Sequence, residues 1–169
     1  MTEKKDILKE SKEIIEKYKL LSHVEGGYFA GLYTSCSHLQ SERPLAGSIY
    51  FLLDQKDISK FHRIDCEEIW YYHQGVGMNI YFVEKDNTVS VKQLGIGKDQ
   101  NPSVVVPKGI IFSAENIDPS GYTFISCATV PKFHYKGFEL ITKAMCPNLP
   151  DKYDKFFSDE KVETFNAFS

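Results

Sequence analysis

Apolar side chains at the start of the chain recur with a helical period. Ile7, Ile14, Ile15, Tyr18 and Leu21 fall on one face, and Lys and Glu fill the other. This predicts a helix over residues 3–21, capped by Thr2 and packed by its apolar stripe on the outside of a sheet. After Gly26-Gly27 the period becomes two. Strands are expected over 28–35, 48–53, 60–64, 69–73, 79–83, 88–94, 103–106, 110–113, 122–130 and 138–142. Between them stand turn signals such as Gly75-Val76-Gly77, Pro107-Lys108-Gly109 and Asp118-Pro119-Ser120-Gly121. Short strands at this spacing predict an all-β sandwich or barrel with a minor helix. Segment 48–53 is apolar on both faces, so it belongs in a covered position. The organisation expected is a helix over 1–22, a β domain over 23–145 and a tail over 146–169. The tail carries Pro147, Pro150, Tyr153, Phe156, Phe157 and Phe165 and has no assignable period.

Composition narrows the classes. A chain of 169 residues with 42% hydrophobic residues can bury a real core, and 14% aromatics suit a β-rich interior or a lined cavity. A net charge of -3 argues against a broad nucleic-acid-binding face. Cys36, Cys66, Cys127 and Cys146 are widely spaced, with no CxxC pair, and read as free thiols. The start of the chain is charged and lacks an apolar run, so a signal peptide is not expected there. No apolar run approaches the ~20 residues of a membrane span. The expectation is a cytoplasmic protein with no membrane and no nucleic-acid partner.

The chemistry concentrates between Phe61 and Gly75, which hold His62, Glu68 and the single tryptophan, Trp70. Side chains two apart on a strand share a face. His62 therefore groups with Ile64. Glu68 groups with Trp70 and Tyr72, and Ser48 with Tyr50 and Leu52. His73 is out of phase with Glu68 and points the other way. The bland alternatives are a hydrogen-bonded structural histidine, a core tryptophan and core tyrosines. A carboxylate facing a β interior is costly unless paired, so Glu68 needs His62, Arg63, Arg43 or a ligand.

Two spaced patterns in this chain resemble the cupin motifs. His62, Glu68 and Gly75 match the first, HxH followed by Glu and Gly. Pro107, Gly109 and Asn116 match the second, PxG followed by His and Asn. Glu25-Gly26-Gly27-Tyr28-Phe29, Phe61-His62-Arg63, Glu68-Ile69-Trp70 and Val105-Val106-Pro107 further resemble one cupin-like family of unknown function, from about His23 to Thr142. The resemblance implies a double-stranded β-helix, or jelly-roll barrel, whose interior holds the faces grouped above, with Phe112 closing the wall. It also implies a homodimer, with the helix and the aromatic tail as candidate interfaces. Metal-binding cupins present three His and one Glu. Here Ile64 and Phe112 stand at two of the His positions and Lys56 and Asn101 at the leading glycines. A tightly bound metal is therefore not expected, and His62 and Glu68 are the ligands if one binds.

Three functional readings follow. One is a metal-independent isomerase or epimerase of a sugar-like or carbonyl compound. In it His62 is the base, Glu68 orients it, and Tyr50 or Tyr72 returns the proton. The second is a non-catalytic small-metabolite-binding protein. The third is a metal-dependent enzyme with a reduced ligand set. In each, Ser48, Trp70 and Phe112 contact a small-molecule ligand in an aromatic-lined pocket.

Overall fold

The structure, a computed structural model, describes residues 2–38, 40 and 42–159, with side chains from Lys9 onward. The cap expected of Thr2, the apolar position of Ile7 and the aromatic Phe165 lie outside the described side chains. Helix α1 spans Thr2–Tyr18. It is followed by β1 Leu21–Ser22, β2 Tyr28–Thr34, β3 Gly47–Asp54, β4 Ile58–Ile64, β5 Glu67–Gly75 and β6 Met78–Val83. The remaining strands are β7 Val89–Leu94, β8 Ser103–Val106, β9 Ile111–Asn116, β10 Tyr122–Val130 and β11 Phe138–Leu140.

The strands form two antiparallel sheets, ordered β1-β2-β3-β10-β5-β8 and β11-β4-β9-β6-β7. Their facing sides bury Phe51, Trp70, Met78, Ile80, Phe112 and Ile125 among others, which is the jelly-roll core. The outer face of the first sheet is covered by α1, whose Ile14 packs with Leu52, Tyr122 and Phe124. Strand β3 is thus covered on both sides, as its unbroken apolar run requires. The helix ends earlier than its period suggested. Lys19 takes a left-handed φ of 53° and ends the helix. Leu20 then turns inward, and Leu21 is left 68% exposed.

The tail docks on the other sheet. Two short 3-10 turns, Lys143–Met145 and Asp151–Phe156, fold it back so that Phe156 and Phe157 pack against Phe61. Ile141 and Leu149 complete this cluster. Phe61 points outward and His62 inward because they are neighbours on one pleated strand.

Three motif positions have structural explanations. Gly75 sits at φ 108°, where a Cβ would lie 2.0 Å from the Tyr122 carbonyl oxygen, so only glycine allows the close crossing after β5. Asn116 donates through Nδ2 to the carbonyls of Leu53 and Gln55 at 3.1 and 2.9 Å, tying two loops together. The Gly109 N–H donates to the Ile64 carbonyl at 2.9 Å and anchors the turn before β9.

Truncating Phe156, which is 1% exposed, removes the centre of the tail cluster. Phe156→Ala is expected to cost about 3–5 kcal/mol of unfolding free energy in urea denaturation. A cost under about 1 kcal/mol would show that the tail does not contribute to the fold.

Candidate functional site

Between the sheets, at one end of the barrel, lies an open cavity of about 740 Å³, within the size range of small-molecule sites. Its inner wall carries His62, Glu68, Trp70, Cys127 and, from the loop before β2, His23 and Glu25. Lys132, His134, Tyr135 and Lys136, on the segment joining β10 to β11, border it on another side.

The Glu25 loop is shaped by its glycines. At Gly26, φ is 111° and a Cβ would sit 2.0 Å from the Ile58 carbonyl oxygen. The loop is held against β4 by the Lys60 N–H donating to the Glu25 carbonyl at 2.8 Å. Glu25 is thereby placed inside, with Ser59 Oγ donating to its Oε1 at 2.9 Å. Its Oε2 lies 3.2 Å from His62 Nε2 and 3.6 Å from His23 Nδ1.

The proton positions follow from this geometry. His62 Nδ1 is 2.7 Å from the Lys60 carbonyl oxygen. A carbonyl only accepts, so Nδ1 carries the hydrogen. His62 Nε2 and Glu25 Oε2 then share one further proton. Burial disfavours charge on both, pushing the Glu25 pKa up and the His62 pKa down. On His23, Nδ1 accepts the Glu25 backbone N–H at 3.4 Å, which puts the ring proton on Nε2, 3.4 Å from the Tyr135 hydroxyl. Burial lowers the His23 pKa as well.

Glu68 lies close enough to this group to feel the charges of Glu25 and His62, without an ion pair to either. Burial raises its carboxyl to about 7, against the pull of the Trp70 indole beside it, while the nearby Glu25 adds to the rise. The Cys127 thiol faces Glu68, and burial with that carboxylate drives the thiol pKa well up, so it is a donor and not a nucleophile. Trp70 Nε1 is buried and interacts with the Glu68 carboxyl without completing a well-formed hydrogen bond.

The structure brings only some of the expected residues together. His62, Glu68, Trp70 and Ser48 border the cavity. Phe112 is fully buried behind it, its ring centroid 4.1 Å from that of His62. Tyr50 lies on the opposite face of β3 from Phe51, its ring tilted against Tyr18 of α1 with centroids 4.8 Å apart. Alternation cannot choose the inward face of β3, because both faces of that strand are apolar: Phe51 and Leu53 meet the core, and Tyr50 and Leu52 meet α1. Tyr72 packs against the core away from the cavity, and its hydroxyl donates to the Gly75 carbonyl at 2.6 Å. Neither tyrosine is placed to return a proton in this cavity. Glu68 is paired with none of His62, Arg63 and Arg43. Arg43 instead grips Asp65 at 2.9 and 3.0 Å, and Arg63 pairs with Glu139.

Sequence reading passed over His23, Glu25 and Tyr135. Glu25 was visible only as part of the Glu-Gly-Gly motif, and His23 and Tyr135 lie in loops with no pattern. The four cysteines are free, as expected.

A cupin-type metal does not fit these residues. Two ligand positions are Ile64 and Phe112, and both His62 nitrogens are engaged by Lys60 and Glu25. His73 faces outward, 2.9 Å from Ser126 Oγ. Among the described residues, no group of three or more His, Cys, Asp or Glu side chains is arranged to hold a metal ion. No helix among them is long and apolar enough to cross a membrane.

Two sheets closed around a cavity of this kind define a cupin-fold protein. The chain belongs to the cupin superfamily family DUF985, whose model matches residues 12–141. The crystal structure of protein SO0799 from Shewanella oneidensis is similar, with 30% identity and a TM-score of 0.82, over 89% of this chain and 98% of that one. A hypothetical protein from Leishmania major shares 25% identity and a TM-score of 0.76, over 90% and 99%. Oxalate decarboxylase from Bacillus subtilis shares the fold alone, with 14% identity and a TM-score of 0.56, over 78% of this chain and 32% of that one. No curated protein matches the sequence.

The Glu68 carboxyl gives stability a signed pH dependence. Its pKa is raised from 4.5 to about 7 in the folded state. Between those values the folded state holds a proton that the unfolded state has lost, so its contribution falls as pH rises through about 7. Glu68→Gln is expected to gain on the order of 2–3 kcal/mol relative to wild type between pH 5 and pH 8. Urea melts at the two pH values measure this, and a difference that does not change with pH would place the Glu68 pKa near its ordinary value.

Proposed function

We propose that this protein moves a proton on a small carbonyl compound, as a metal-independent isomerase or epimerase, with Glu68 as its acid–base group. The observation that carries this reading is that one cavity holds both a carboxyl raised to about 7 and, beside it, a buried donor, Trp70 Nε1, whose hydrogen bond to that carboxyl is incomplete. A proton-transfer group works best with a pKa near the working pH. The sequence pointed to His62 as the base, but both its nitrogens already have partners. In this reading the Glu68 carboxylate takes the proton from the carbon next to the carbonyl. The electron pair of the C–H bond moves toward the carbonyl oxygen, where the Trp70 N–H donates to it. The proton held on Glu68 exchanges with solvent through the open cavity, Glu68 returns a proton to the same carbon or to the neighbouring carbon, and no co-reactant is consumed. The His62–Glu25 pair stays uncharged overall as it shares its proton and keeps the wall rigid.

The test is wash-in of solvent deuterium, followed by proton NMR on a panel of small aldoses, ketoses and 2-oxo acids, with and without phosphate. At least one compound is expected to exchange at the carbon beside its carbonyl, and Glu68→Gln is expected to slow that exchange by about 100-fold or more. The second reading, binding without turnover, is favoured by the engaged state of His62. A ligand retained in native mass spectrometry, with no exchange in any compound, would establish it in place of the first.

Pairing of two copies is part of the same proposal. Ile14 and Tyr18 of the helix and Phe156 and Phe157 of the tail pack within the chain, while β8 is an edge strand carrying the half-exposed Val105 beside the exposed Tyr71 of β5. Light scattering is expected to give a dimer mass, and a monomer mass at micromolar concentration removes this part.

A further inference from the structure

The cavity border carries two cations, Lys132 and Lys136. Among the described residues, no carboxylate pairs with Lys132 or Lys136, although both border the cavity. The other basic groups nearby are spent. Arg43 is held bidentately by Asp65, and His134 Nε2 also lies 3.9 Å from Asp65.

Lys132 is built into place. Its N–H donates to the Pro44 carbonyl at 3.0 Å, and its own carbonyl accepts from Arg43 Nε at 2.7 Å. Its aliphatic stem lies across Gly47, where a Cβ would come within 2.6 Å of Lys132 Cγ. Any side chain at position 47 would push the lysine stem off β3. Lys132 is half-buried and borders the cavity, its stem packed on Gly47 with the ammonium at the end of it.

We infer that Lys132, assisted by Lys136, is an anion subsite, and that the compounds taken by this cavity carry a phosphate or carboxylate at the end away from the carbonyl carbon. The inference rests on the acid–base reading for what happens at the inner end, and on Lys132 alone for what is bound at the outer end. A lysine ammonium is a point charge with three donors, suited to phosphate and carboxylate oxygens alike. A cavity of about 740 Å³ leaves room for a small metabolite spanning Lys132 and Glu68.

Inorganic phosphate and malonate are the probes, titrated into the full chain while backbone amide shifts are followed. Saturable shifts are expected at Gly47 and Lys132. Lys132→Met, which keeps the stem and removes the charge, is expected to raise the dissociation constant about tenfold. Lys132→Arg is expected to restore most of the affinity, and Lys92→Met, far from the cavity, to change nothing. Saturation by phosphate alone assigns a phosphoryl end, and by malonate alone a carboxylate end. Unsaturable shifts, or equal affinity in Lys132→Met with its amide spectrum otherwise intact, would overturn the subsite. The two proposals fail separately. Phosphate binding lost in Lys132→Met, with no deuterium wash-in, sinks only the acid–base reading. Wash-in with an unchanged KM in Lys132→Met sinks only the subsite.

Discussion

The site depends on how two carboxyl groups are kept inside a β barrel. A buried carboxylate without a partner would cost more than this fold can offset. Glu25 meets the constraint by sharing a proton with His62 and accepting from Ser59. Glu68 meets it by holding its own proton up to about pH 7. The first arrangement locks one wall. The second leaves a group whose charge changes near neutrality. The rest of the cavity is consistent with that division: Phe112 closes one side of His62, and Cys127 and Trp70 surround Glu68 with weak donors and no fixed charge.

Much of the fold was legible because β structure writes itself as alternation and punctuation. The strands stand close to where the pattern put them, and Gly75 and Pro107-Lys108-Gly109 mark real turns. The same rule failed on β3. Its two faces are equally apolar, since one meets the core and the other meets α1, so Tyr50 was assigned to the wrong side. It failed also for the tail, where Phe156 and Phe157 pack through 3-10 turns that have no sequence period.

The site was half legible. His62, Glu68 and Trp70 lie on regular strands, where spacing fixes direction. Glu25, His23 and Tyr135 come from loops, and a loop residue's direction is set by contacts with distant chain. Glu25 points inward because Gly26 passes close to Ile58, a fact that no local pattern states. The partner of His62 was therefore missed, and with it the reason that His62 is not free to act as a base.

The contacts that shape the cavity join parts of the chain far apart in sequence. Ser59 reaches Glu25 across 34 residues, Arg43 reaches the Lys132 carbonyl across 89, and Tyr135 reaches His23 across 112. No contiguous fragment smaller than nearly the whole barrel contains them. Each closure costs chain entropy that only the completed sheets repay. A nascent or partly opened chain therefore has no miniature of this site. Ligand affinity here is a property of the closed barrel alone, so anything that binds the cavity also acts as a clasp on the entire fold.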